Sequence, residues 1–127
     1  MTTTALMWLT FGFFTKHFIF DFPLQGPYQY KNKGNYGHPG GVLHAGLQAL
    51  GTILVLVWTP LCIGDIAILA YGEGFLHYHI DWAKMNLNQY WKLGPTTSEQ
   101  YWWLLGFDQY LHYLTYLGIL LLMANFQ

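Results

Sequence analysis

Apolar residues gather in four long runs, at positions 5–22, 42–63, 66–84 and 101–124, separated by polar segments rich in glycine and proline. Each run approaches the roughly 20 residues that carry a helix across a bilayer. The second run is the most uniform, with His44 its lone ionisable group. The third is the most broken, because it carries Glu73, His77, His79 and Asp81. Residues 23–41 hold Pro23, Pro27, Pro39 and five glycines, which is turn chemistry. Residues 60–65 read as a tight turn. Residues 85–100, with Asn86, Asn88 and the Gly94-Pro95 pair, read as a loop in which Thr97 or Ser98 caps the last helix. The pattern predicts an all-α fold: a single domain, 1–127, built as an integral membrane bundle of four transmembrane helices.

Composition strengthens the membrane reading. Charged residues are 9% of the chain, against roughly 25% in an ordinary soluble domain, while hydrophobic residues are 54% and aromatic residues 20%. Five lysines, no arginine and six acidic residues cannot coat a soluble surface of this size. A net charge of −1 with no basic stripe excludes a nucleic-acid partner. The lone cysteine, Cys62, excludes an internal disulfide and a thiolate metal cage, and a packing role is expected for it. The Met-Thr-Thr-Thr start lacks the positive region of a secretory signal, so the first run is expected to be retained. Lys31 and Lys33 in the first loop and Lys84 and Lys92 at the third place both loops in the cytoplasm. That orientation puts both termini on the other side of the cell's inner membrane. Trp58, Trp82, Trp91, Trp102 and Trp103 fall near run ends, where indoles settle at the headgroup level.

The polar residues inside the runs are ordered. An ionisable group at mid-span costs about 2.5–3.5 kcal/mol on the insertion scale. Yet His17 and Asp21, His77 and Asp81, and Asp108 and His112 are each four residues apart, so three runs present a His and an Asp on one helical face. The stripe on the third run extends from Glu73 through His77 and Asp81 to Lys84, and on the second run His44 is followed by Gln48. His79 points elsewhere on the helix, and His38 reads as a loop residue. Depth along the runs puts all these groups in the cytoplasmic half, where His17, Asp21, His44, His77, Asp81, Asp108 and His112 converge as candidate metal ligands.

Imidazole beside carboxylate suits a divalent zinc, manganese or iron ion, which would offset the desolvation of several carboxylates. An open position on such an ion lowers the pKa of bound water. Glu73 or Asp108 is then the candidate general base, and Lys84 the candidate partner for a carboxylate or an anionic phosphate. Two other roles fit the same pairs: hydrogen-bonded glue between helices, and a proton or ion path. Signatures of HExxH, GxSxG, phosphate-loop and Glu-x-x-His type are absent, and Ser98 is the only serine.

The segment His17-Phe-Ile-Phe-Asp21-Phe22-Pro-Leu-Gln25 resembles the opening of a family of small bacterial and phage membrane proteins of unknown function. In that family an HxxxDFxxQ motif is followed by a lysine, a histidine opening the second span, an HxxxDxxK motif and a terminal DQxxH. Lys31 or Lys33, His44, then His77, Asp81 and Lys84, then Asp108, Gln109 and His112 match in order. Members often carry a second histidine where this chain has Gln48. The resemblance implies multi-spanning membrane topology and supplies no activity. By analogy with small membrane metal hydrolases, the leading expectation is a metal-dependent hydrolase acting on a lipid or lipid-linked phosphate or ester. The alternative is a non-catalytic module, a homo-oligomer or small subunit of a larger membrane complex, whose His–Asp pairs are structural.

Overall fold

The computed structural model describes residues 1–125. It contains five helices and, among the described residues, no strand: α1 (Thr3–Asp21), α2 (Pro27–Tyr30), α3 (Pro39–Leu56), α4 (Ile63–Tyr90) and α5 (Glu99–Asn125). The long helices form a ring in which α1 packs on α3, α3 on α4, α4 on α5 and α5 back on α1. Short connections make sequential neighbours antiparallel.

Helix ends follow local chemistry. Thr2 caps α1 by accepting from Ala5 N at 3.2 Å. α1 ends at Asp21, with Phe22 as its C-cap immediately before Pro23. His38 caps α3, its Nδ1 accepting from Gly40 N at 3.0 Å, with Pro39 in the first turn. Cys62 is exposed and caps α4, Sγ accepting from Asp65 N at 3.4 Å, so it is a helix cap and not the packing residue expected. Ser98, expected with Thr97 as a cap of the last helix, precedes α5 but turns its hydroxyl back to the preceding loop, accepting from Gly94 N at 3.0 Å and donating to Gly94 O at 3.2 Å.

Several boundaries differ from the sequence reading. The first loop contains α2, started by Gly26 and Pro27. The second long helix ends at Leu56, earlier than residue 63. α4 starts at Ile63 and continues to Tyr90, through Lys84, Asn86 and Asn88. Polarity suggested a loop there, but no glycine or proline occurs between Lys84 and Gly94, and Asn86 Nδ2 is spent on Gly34 O at 2.9 Å. Lys92, at φ 52°, then ends α4 with the Leu93 N–H bonded back to Asn88 O at 2.8 Å.

The bundle is divided along its length. Phe13, Leu56, Ile66, Leu69, Tyr116, Ile119, Leu120 and Met123 pack an apolar core at one end. The other half is filled by polar side chains, among them Lys16, His17, Asp21, His44, Gln48, Glu73, His77, Asp81, Asp108 and His112, all buried. Large apolar side chains face outward, including Ile63 at 77%, Tyr71 at 74% and Ile68 at 71% exposure. Among the described residues, one helix, Pro39–Leu56, is long and apolar enough to cross a membrane by length and composition. The histidines, tyrosines and charged stripes of the other three runs lower their mean hydropathy.

Candidate metal centre

The stripe on α4 is the spine of the site. Glu73 Oε1 meets Lys16 Nζ of α1 at 3.0 Å, and Thr52 Oγ1 of α3 donates to Glu73 Oε2 at 3.4 Å. One turn on, His77 faces Asp21 and His44. Next, Asp81 receives Lys33 Nζ at 3.1 Å. Last, Lys84 Nζ lies 4.0 Å from Asp108 Oδ2. Close approach of α3 and α4 makes these meetings possible: Gly74 lies against Ala45 and Ala49, and a Cβ there would sit 3.1 Å from Ala49 Cβ and 3.2 Å from Ala45 O.

At the centre, Asp21 Oδ1, His44 Nε2, His77 Nε2 and Asp81 Oδ2 point at one another. His44 Nε2 is 2.9 Å from Asp21 Oδ1, 3.1 Å from Asp81 Oδ2 and 3.1 Å from His77 Nε2. His77 Nε2 is 3.2 Å from Asp21 Oδ1 and 3.4 Å from Asp81 Oδ2. A tetrahedral ion with bonds of about 2.0–2.1 Å has ligand–ligand edges of about 3.3 Å. These four side chains therefore have the spacing of a metal ligand set.

The surroundings fix the tautomer of His44. Gln29 Nε2 donates to Leu24 O at 3.2 Å, so Gln29 Oε1 is an acceptor, and it lies 3.0 Å from His44 Nδ1. The proton of a neutral His44 is thus on Nδ1, and the Nε2 lone pair is aimed at two carboxylate oxygens and a second imidazole. Lys33 Nζ meets Asp81 Oδ2 at 3.1 Å and Gln48 Nε2 donates to Asp21 Oδ1 at 3.0 Å, and a ring proton on His77 or a bound cation would relieve the remaining repulsion between lone pairs. A ligating histidine held from behind through its other nitrogen is the usual arrangement around a metal.

A second group adjoins the first. Asp81, Asp108 and His112 also bring ligand atoms within reach of one ion. His112 Nε2 is 3.4 Å from Asp81 Oδ1 and 3.3 Å from Asp108 Oδ1. Beside both groups is Lys33. Burial pulls its ammonium down, but the carboxylates of Asp81 and Asp21 outweigh this, and its pKa ends above that of a free lysine.

A family model described as a protein of unknown function, DUF3307, matches residues 9–127. The chain belongs to this family. No curated protein matches it, and neither does any solved structure.

In this DUF3307 protein the seven histidines and aspartates expected to converge are neighbours, but they do not share one role. His17 is in neither ligand group. Gln109 Nε2 donates to Asp108 Oδ2 at 3.1 Å, so Gln109 Oε1 accepts from His17 Nε2 at 2.7 Å, and Tyr116 OH donates to His17 Nδ1 at 2.9 Å. With both ring nitrogens engaged, His17 orients Gln109 and Asp108. Glu73, expected as a candidate base, is paired with Lys16, and its Oε1 stands 3.6 Å behind His77 Nδ1. Gln48 donates to Asp21 Oδ1 and accepts from Lys16, each at 3.0 Å. His79 is turned away, its Nε2 3.0 Å from Tyr36 OH.

Lys16, Gln29 and Tyr116 carry parts of the site that the sequence reading did not include. Lys16 left a signal, a charge inside an apolar run next to His17. Gln29 and Tyr116 left none. Of the two lysines matched to the family resemblance, Lys33 is buried against Asp81, whereas Lys31 is exposed.

Proposed function

We propose that this protein is a membrane-embedded, metal-dependent hydrolase acting on a lipid or lipid-linked phosphate or ester. The observation that carries the metal reading is the meeting of Asp21, His44, His77 and Asp81, with His44 held from behind by Gln29. The membrane reading is supported by the inverted distribution of side chains, polar within and apolar without. Indoles support it as well. Trp8 and Trp58 flank one depression at the apolar end of the bundle, and Trp91 and Trp103 flank another at the opposite end. Two exposed aromatic groups at opposite ends fit the two interfaces of a bilayer.

An ion with an open position, as beside Asp81, Asp108 and His112, would lower the pKa of bound water and polarise the scissile group. The chain's own residues do the rest. Asp108 and His112 would hold the ion, Lys84 beside Asp108 holds an anionic oxygen, and Glu73 and His17 position the groups that touch the ion. Hydrolysis needs no further reactant: water gives its oxygen to phosphorus or carbonyl carbon and a proton to the departing ester oxygen.

Purified protein in detergent, reloaded with zinc, manganese or iron, is the material for the test. It should release product from phospholipid or lipid-phosphate vesicles, and chelator or His77→Ala should abolish release. A fully loaded, folded protein inert on every lipid phosphate and ester tried would overturn the hydrolase reading. The second reading is a non-catalytic module, and the pairing of Lys16 with Glu73 and of Lys33 with Asp81 favours it, since lysines already offset two carboxylates. On that reading His77→Ala lowers the melting temperature, and there is no metal to lose.

A further inference from the structure

The two groups of ligand atoms differ in kind. Asp21, His44, His77 and Asp81 present four protein atoms, which complete the shell of a tetrahedral ion such as zinc. Asp81, Asp108 and His112 present three, which leaves one position for water. Among the described residues, Asp81 Oδ1, Asp108 Oδ1 and His112 Nε2 are all buried without a hydrogen-bond partner. The other oxygen of each carboxylate is engaged. Asp81 Oδ2 faces Lys33, and Asp108 Oδ2 receives Gln109 and lies near Lys84. Leaving a buried polar atom unsatisfied costs about 1–3 kcal/mol, and more when it is charged. These three atoms are neighbours, His112 Nε2 lying 3.4 Å from Asp81 Oδ1 and 3.3 Å from Asp108 Oδ1.

We propose that the centre is dinuclear, with Asp81 as the bridge. Oδ2 of Asp81 serves the ion held with Asp21, His44 and His77. Its Oδ1 serves a second ion held with Asp108 and His112, and that second ion carries the exchangeable water. The rings of His77 and His112 stack with centroids 3.9 Å apart and planes 23° apart, which sets one imidazole beside each ion. Two ions about 3.5–4 Å apart clamp the attacking and departing oxygens of a displacement at phosphorus. The inference rests on the metal reading above and narrows the substrate class to phosphate esters.

Manganese(II) is the probe. Protein stripped with chelator in detergent and reloaded should bind about two manganese ions per chain, with an exchange-coupled electron paramagnetic resonance spectrum. Asp108→Asn and His112→Gln should each reduce this to about one ion and restore the six-line signal of isolated manganese. The wild-type spectrum is informative without either variant, so a variant that fails to fold does not remove the test. A single uncoupled ion in the wild type would overturn the dinuclear proposal and leave the first position standing. Variants that keep the coupled pair would overturn it too. No bound manganese, zinc or iron at all would overturn the metal reading beneath it.

Discussion

Gln29 shows how a single amide can decide the chemistry of a site. It lies on a four-residue helix and holds the proton of His44 on the nitrogen facing away from the cluster. Gln29→Leu should weaken metal binding about 10–100-fold, read by competition with a chromophoric chelator, while leaving the helical circular dichroism unchanged. Lys16 tests a different energy. Its ammonium is buried and bonded to Glu73 and Gln48. Lys16→Met should lower stability by about 3–5 kcal/mol, because it strands the Glu73 carboxylate. Lys16→Met combined with Glu73→Gln should recover much of that loss in a melting experiment. The His and Asp positions were legible in sequence, since an ionisable group in an apolar run is conspicuous and the four-residue spacing puts pairs on one face. What each does was not legible. His17 has the same spacing to Asp21 as His77 has to Asp81, yet Gln109 and Tyr116 occupy both its nitrogens, and only packing reveals that.

At the scale of elements, the site depends on how closely α3 and α4 approach. Gly74 allows the contact with Ala45 and Ala49 that brings His44 Nε2 to 3.1 Å from His77 Nε2. Gly74→Leu should separate these helices, lower stability by about 1–3 kcal/mol and remove high-affinity metal binding together. A melting curve and a metal titration on the same preparation check both. The four long helices were legible from the apolar runs; their ends were less so. Polarity marked 85–100 as a loop, but hydrogen-bonding side chains such as Asn86 are compatible with a helix that another segment touches. The short α2 was hidden because its proline and glycine signal both turn and helix start.

The whole molecule inverts the arrangement of a soluble bundle, with imidazoles, carboxylates and lysines in the interior and tryptophan, phenylalanine and isoleucine on the outside. The expressed chain should therefore stay with the membrane fraction through an alkaline carbonate wash and enter solution only with detergent. Release by carbonate would contradict bilayer insertion. Composition pointed to this arrangement, since so few charges cannot cover a soluble surface. It could not say that opposed lone pairs would meet at the middle. The most direct measurement is elemental analysis of protein purified gently, without chelator or affinity resin that carries metal. Zinc, manganese or iron at one or more equivalents per chain, with a melting temperature that falls when the ion is removed, is the expected result. Metal-free protein whose melting temperature is unmoved by chelator and by added ions would contradict it.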